Sequence, residues 1–293
     1  MPELPEVETV VRGLNRLILK KKIAKVKHDW PKSFPNAERD VQDFMIGAEI
    51  SNVRRRGKAI IIELENGWSL VTHLRMTGQM VYRGEENWGA GHPNEDFLND
   101  LPNKSTRVEI DFEDETKLFF NDQRKFGYMK LLPIPEIENL PFFQKLGPEP
   151  LEDNFTVEIL KNRLSKKQNS MIKPAILEQS VIAGVGNIYA DEALWRAKIH
   201  PETRVKDFSN EDFVNLYEAI RFVMNESIKR GGSTDRNYVN ADGSRGNYLN
   251  YAAVYHKDGE PCKCCGTEIS KIRVGGRGTH FCTNCQKIKG NEN

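Results

Sequence analysis

No cysteine occurs in the first 261 residues of this 293-residue chain; all five fall between positions 262 and 285. That excludes a disulfide framework spread through the fold and points to one local metal site in a reducing compartment. Long hydrophobic runs are also missing. No run of large aliphatic residues exceeds three, as at Ile60-Ile61-Ile62, against the about 20 that a membrane-spanning helix needs. The opening Met1-Pro2-Glu3-Leu4-Pro5-Glu6 is acidic where a secretory leader is basic and then apolar. Neither export nor membrane insertion is expected. Charge of one sign is lacking too: 43 basic and 42 acidic residues leave a net charge of +1, so bulk charge names no partner.

The charges are nevertheless unevenly placed. Arg16, Lys20, Lys21, Lys22, Lys25 and Lys27 form one basic stretch and Arg54-Arg55-Arg56-Gly57-Lys58 another, whereas residues 84–100 carry five acids. Such patches are usually solvated faces and weigh only slightly towards nucleic acid. The length suits about two domains with a sizeable core. Helical spacing runs from Val7 to Leu19 through Val7, Val10, Val11, Leu14, Leu17 and Ile18. Short segments rich in Val, Ile and Phe follow: Ile23–Val26, Ala59–Leu64, Ser69–His73, Gln79–Tyr82, Arg107–Phe112 and Lys117–Phe120. Glu65-Asn66-Gly67 and Glu113-Asp114-Glu115 read as hairpin turns between them. This predicts a β-sandwich or flattened barrel over 1–132, with 84–103 as a long loop-tip insertion. Proline and glycine at 133–150 mark a linker. Helices are expected at Thr156–Lys166, Ala175–Gln179, Ala190–Ala197 and Asn210–Lys229, the last capped by Ser209 and ended by Gly231-Gly232. Residues 231–251 read as a polar loop, so 151–251 forms a helical domain and 252–287 a cysteine module.

Cys262-x-x-Cys265 and, after 16 intervening residues, Cys282-x-x-Cys285 can bring four thiolates around one zinc across a hairpin-length spacer. The spacer carries Lys271, Arg273 and Arg277 around Gly275-Gly276, so the module is either purely structural or also binds a partner. Cys264 breaks the symmetry and is left as a spare thiol. Gly184-Val185-Gly186-Asn187 sits between helical segments. It serves either close helix packing or a phosphate at the next helix start. Pro2, Glu3 and Glu6 fit an ordinary helix start, where acids complement the dipole. If Met1 is removed, however, Pro2 is a secondary amine beside two carboxylates, and such an amine is a carbon nucleophile.

Taken together, these residues resemble the bacterial formamidopyrimidine-DNA glycosylase family over essentially the whole chain. The resemblance rests on Met1–Val10, Arg56-Gly57-Lys58, His73-Leu74-Arg75-Met76-Thr77-Gly78, Asp122-Gln123-Arg124-Lys125-Phe126-Gly127 and Leu146–Leu151. It continues through Ala183–Glu192, Ile199-His200-Pro201, Gly231–Gly246 and Gly259-Glu260-Pro261-Cys262. The sister endonuclease VIII-like branch, which acts on oxidised pyrimidines, usually has glycine where Leu4 stands. The resemblance implies an α+β fold: an N-terminal β-sandwich, a C-terminal helical domain with a helix–two-turn–helix motif, and a β-hairpin zinc finger with one structural zinc. It implies a monomeric base-excision-repair enzyme of the bacterial cytoplasm and nucleoid. That enzyme removes 8-oxoguanine and formamidopyrimidines from double-stranded DNA and cleaves the strand at abasic sites by β,δ-elimination through a Pro2 Schiff base. A non-catalytic zinc-ribbon DNA-binding protein is the reading from another class.

By the same resemblance, Pro2 attacks the sugar's anomeric carbon, Glu3 gives a proton to the opening ring, and Glu6 orders water or the amine. Lys58 assists elimination or holds a phosphate. Met76, Arg124 and Phe126 form the wedge that fills the space of an extruded base. Lys58, Asn187 and Arg277 make up a phosphate clamp, with Arg277 also aiding the second elimination, and Lys173 joins the DNA-binding residues. Asp235-Arg236-Asn237-Tyr238 lie in the loop whose backbone reads the purine's oxygen at position 6. Four features depart from the family. Ser105 and Arg107 replace two histidines, with Arg107 as the substitute phosphate contact. Gln168 stands at a usually basic position, with Lys166 and Lys167 beside it. The 84–103 insertion has no family role, and Gly246-Asn247-Tyr248 alters the lesion loop.

Overall fold

Apolar side chains recur every three or four residues from Leu4 to Ile18. In the computed structural model, which describes residues 2–92, 100–233 and 248–290, they form helix α1 (Leu4–Ile18). Its start is fixed reciprocally: the Glu3 side chain accepts from the Glu6 N–H, and Glu6 Oε2 accepts from the Glu3 N–H at 2.9 Å. This satisfies two donors that a helix start leaves open. Val7, Val10, Val11, Leu14, Leu17 and Ile18 are all buried.

The chain divides into two compact units, residues 2–144 with 230–233, and residues 145–229 with 248–290. In the first, α1 is followed by β1 (Ile23–His28), α2 (Glu38–Phe44), β2 (Ile50–Arg56), β3 (Ala59–Leu64) and β4 (Trp68–His73). Then come β5 (Gly78–Arg83), β6 (Asn87–Gly91), β7 (Thr106–Phe112), β8 (Lys117–Asp122), β9 (Tyr128–Pro133) and α3 (Pro141–Gln144). Two antiparallel sheets result, ordered β1-β7-β8-β5-β6 and β2-β3-β4-β9. One apolar cluster joins Leu14 and Leu17 of α1 to Ile60, Ile62 and Leu70 of one sheet and to Met80, Val108, Ile110 and Phe120 of the other. The expected sandwich is therefore present.

Three strands escaped the pattern reading. In β2 the arginines hide the alternation: Arg54 pairs with Glu63 of β3 at 2.7 Å, and Arg55, with its side chain 7% exposed, meets Glu8 at 3.3 Å. Arg54 and Arg55 are thus paired with acids of the same unit and do not form an open cationic patch. In β9, Lys130 interrupts the buried Met129 and Leu131. The third, β6, corrects the expected 84–103 loop, because residues 87–91 pair with β5 and bury Trp88 against α1.

In the second unit come α4 (Val157–Ser165), α5 (Ile172–Leu177), α6 (Asn187–Arg196), α7 (Asn210–Lys229), α8 (Tyr248–Tyr251) and the hairpin β10 (Ile269–Val274) and β11 (Arg277–Cys282). Ser209 caps α7 as expected, its Oγ accepting from Asp212 N–H while Asp212 Oδ2 accepts from Ser209 N–H. Helix α5 begins earlier than expected because Pro174 is tolerated in a first turn. No helix among the described residues is long and apolar enough to cross a membrane.

Gly13 shows how tightly α1 meets the sheet. A Cβ there would lie 2.1 Å from Trp88 Cζ2. Alanine favours a helix by about 1 kcal/mol over glycine, but overpacking costs about 1–3 kcal/mol. Gly13→Ala should therefore lower the urea midpoint, and a raised midpoint would contradict this packing.

Candidate active site and metal centre

In the first unit Pro2, Glu3, Glu6 and Lys58 are all buried, the last three 4%, 7% and 5% exposed. Glu6 links two chain segments. Its Oε2 holds the Glu3 N–H, and its Oε1 accepts from Ser233 N–H at 2.8 Å. Gly232 makes this possible: its φ is +89°, and a Cβ would sit 3.2 Å from Glu6 Oε1. Lys58 occupies the two-residue turn Gly57-Lys58 between paired Arg56 and Ala59. His73, at the end of β4, accepts the Arg75 N–H on Nδ1 at 3.0 Å. Burial first, then the charges of Arg75 and Lys58, push its pKa down to about 3. Beside Lys58 there is thus a neutral imidazole and not a second cation.

Met76, Arg124 and Phe126 stand on two loops joined by Asp122. This carboxylate is fully buried. Its Oδ1 accepts from the Thr77 hydroxyl and from Arg124 N–H (3.2 Å), while Oδ2 accepts from Phe126 N–H (2.8 Å) and Gly127 N–H (2.6 Å). Anchored so, the loops present large apolar groups to water: Met76 is 39% and Phe126 56% exposed. The Arg124 guanidinium lies 4.8 Å above the Phe126 ring. Asp122 had no assigned role in the sequence. Its signal is an acid two residues before a turn position, the pattern of an Asx turn.

In the second unit the Sγ atoms of Cys262, Cys265, Cys282 and Cys285 lie within 4.8 Å of one another. Cys262 and Cys285 are 3.9 Å apart and Cys265 and Cys282 3.5 Å. Tetrahedral zinc with Zn–S of 2.3 Å separates sulfurs by about 3.8 Å, so the four residues fit one closed zinc site. Hydrogen bonds from Thr267 and then Asn284 draw the Cys265 thiol down to about 5. Burial and the neighbouring thiols push Cys285 up. Four thiolates this close require a cation, and N–H donors from Trp195, Cys264 and Cys285 support two of the sulfurs. Cys264 is exposed and outside the tetrad. A second residue without a role from sequence, Glu192, is held raised by burial even though it accepts N–H groups from Ala253, Val254 and Tyr255. It fastens α6 to the approach of the zinc hairpin.

Asn187 opens α6, and its Nδ2 donates to Gly278 O at 3.1 Å, next to exposed Arg277 on β11. Two expected contacts need correction. Lys173 is wholly buried, 2.6 Å from Asp191, and donates to Gly278 O and the Thr279 hydroxyl. Arg107 is 2% exposed. Its Nε donates to Ser105 O, and its other nitrogens to Asp29 and Lys104 O. A buried cation is retained only with partners, so neither side chain is available as a direct phosphate contact. Asp235, Arg236, Asn237 and Tyr238 lie outside the described residues.

Residues 1–129 match the family described as "Formamidopyrimidine-DNA glycosylase N-terminal domain" and residues 146–238 its "H2TH domain". Residues 259–288 match "Zinc finger found in FPG and IleRS". A formamidopyrimidine-DNA glycosylase of Pelotomaculum thermopropionicum is 40% identical over 290 residues, covering 99% of this chain and 100% of that one. Two solved structures of the Lactococcus lactis Fpg are each 36% identical with TM-scores of 0.85. One is a complex with abasic-site DNA (97% of this chain, 99% of that one) and the other a complex with N7-benzyl-Fapy-dG DNA (98% and 100%).

Two outcomes follow from this geometry. Cys282→Ser should lower bound zinc and affinity for an abasic duplex together; lost metal with unchanged affinity would separate the hairpin from DNA contact. His73, depressed from 6.5 to about 3, makes stability fall as pH drops through that window, by up to about 1.4 kcal/mol per pH unit. His73→Gln should flatten the acid limb of urea midpoint against pH, and an unchanged limb would contradict a neutral buried imidazole.

Proposed function

The chain belongs to the formamidopyrimidine-DNA glycosylase family, and on that premise we propose how its own residues carry the reaction, with Pro2 as nucleophile. The enzyme is a DNA glycosylase and abasic-site lyase that acts on duplex DNA containing oxidised purines. The observation that carries the proposal is the reciprocal Glu3–Glu6 capping, which leaves Pro2 buried immediately before two carboxylates.

With Met1 removed, the Pro2 nitrogen attacks C1′ of the damaged nucleotide as the base leaves. α-Amino groups titrate at about 7.7–8.0, so a share of the neutral amine exists at working pH. A secondary amine forms an iminium that is cationic without a proton, an electron sink for the eliminations that cut the strand. Glu3 supplies a proton to the ring oxygen as the sugar opens. Glu6 keeps the amine and the Gly232-Ser233 segment in place, and Lys58 holds a phosphate near the reacting sugar.

The damaged nucleotide must leave the stack to reach this amine. Met76 and Phe126 fill the space it vacates, and Arg124 meets the opposite base. Asn187 and Arg277 bind phosphates, and Asp235–Tyr238 read the extruded base through their backbone. Zinc bound by Cys262, Cys265, Cys282 and Cys285 closes the hairpin that carries Arg277. Residues 1–132 serve as the catalytic domain, 133–150 as linker, 151–251 as the helix–two-turn–helix domain and 252–287 as the zinc finger. The enzyme works as a monomer in the cytoplasm, on nucleoid DNA.

Duplexes carrying 8-oxoguanine, dihydrouracil or an abasic site test this assignment. The 8-oxoguanine and abasic duplexes should be cleaved, and dihydrouracil much more slowly. Faster cleavage at dihydrouracil would move the enzyme to the pyrimidine branch, and binding without cleavage would mark a non-catalytic protein. Glu3→Gln should slow base release by about 10²–10⁴-fold; a rate within threefold of the native enzyme would remove Glu3 from the proton transfer.

A further inference from the structure

The fully buried ion pair of the second unit lies beside both clamp residues. Asp191 on α6 and Lys173 on α5 are each 0% exposed in their side chains and 2.6 Å apart. The Lys173 ammonium also donates to Gly278 O at 2.9 Å and Thr279 Oγ1 at 2.8 Å. The other Asp191 oxygen accepts from His280 N–H at 2.9 Å and lies 3.2 Å from His280 Nδ1. One carboxylate therefore grips strand β11 twice, directly at residue 280 and through lysine at 278 and 279. The Gly278 carbonyl receives a second donor, Asn187 Nδ2, at 3.1 Å.

Arg277 immediately precedes Gly278. Asn187, from a helix start, thus bonds the carbonyl of the residue that follows Arg277 in the zinc hairpin, and Lys173, whose charge Asp191 neutralises, holds the same carbonyl. We propose that Asp191 is a positioning residue: through Lys173 and the His280 backbone it sets the strand of Arg277 against Asn187, so that the two bind phosphates as one unit. This deepens the reading of Arg277 and Asn187 as phosphate contacts and rests on it.

The pair has no other evident task. Zinc already closes the hairpin at its cysteine end, whereas Asp191 and Lys173 act towards the other end of β11, one to three residues from Arg277. A buried ion pair is often no more stabilising than well-packed apolar groups of similar volume, so its use here is to fix geometry. The double variant Lys173→Met/Asp191→Leu keeps volume and removes both charges together. It avoids the uncompensated buried charge that a single change would leave.

The test is the salt dependence of binding to an abasic duplex, together with zinc content. Each phosphate contact contributes about 0.9 to the slope of log affinity against log salt. A loss of folded protein lowers the active fraction and leaves that slope alone. Arg277→Ala should lower the slope by about 0.9. Lys173→Met/Asp191→Leu should lower it similarly at unchanged zinc content, and Arg277→Ala in that background should add little. If Arg277→Ala lowers the slope and the double variant keeps the native one, the positioning proposal fails while the phosphate reading stands. A slope unmoved by Arg277→Ala itself overturns the phosphate reading and the proposal with it. Should the double variant lose zinc or fail to fold, Asp191→Asn, which keeps an acceptor for His280 N–H, takes its place with the same two outcomes.

Discussion

In the proposed mechanism, two carboxylates three residues apart decide where this chain does its chemistry. Glu3 and Glu6 bond each other's backbone at the start of α1, and the residue just before them is Pro2. A chain terminus is ordinarily its least ordered part. Here it is fixed because the helix it opens is buried along one whole face, with Val7, Val10 and Leu14 inaccessible to water. Sheet packing holds the helix, the helix start orders the carboxylates, and Pro2 lies buried immediately before them. The second Glu6 oxygen reaches Ser233, so the same side chain sets where the polar loop after α7 begins.

Buried acids perform this task elsewhere too. Asp122 gathers four donors and shapes the loops that carry Met76, Arg124 and Phe126. Glu192 gathers three backbone N–H groups ahead of the zinc hairpin, and Asp191 secures β11. In each case a carboxylate out of water is stabilised by several directed donors, which makes it costly to displace. Exposed Met76, Arg124 and Phe126 are thus borne on loops whose backbones are fixed from beneath. Rigid presentation suits a DNA glycosylase, because any loosening there would reduce the share of productive complexes.

Much of this was legible in the chain itself. The α1 periodicity, the hairpin turns, Ser209 as a cap and the cysteine spacing each rest on local physics, and each is found where expected. Failures came where long-range partners decide the outcome. Arg54 and Arg55 of β2 look like part of a nucleic-acid patch until Glu63 and Glu8 stand opposite them. Trp88 sits among acids and glycines, and only the face of α1 at Gly13 reveals it as a strand residue. Lys173 and Arg107 carry the charge of a phosphate contact, but their burial turns that charge inward. Family resemblance supplied residue types; it could not supply the direction of their side chains. Asp122, Asp191 and Glu192 went unassigned because an acid's partners, here mostly backbone N–H groups, leave little mark on sequence.

The central claim is that the amine of Pro2 forms the covalent bond to DNA, and the direct measurement is borohydride reduction during turnover on an abasic duplex. Peptide mass analysis of the trapped adduct should find Met1 absent and the sugar remnant on residue 2. A remnant on Lys58 or another lysine, with Pro2 unmodified, would contradict the claim.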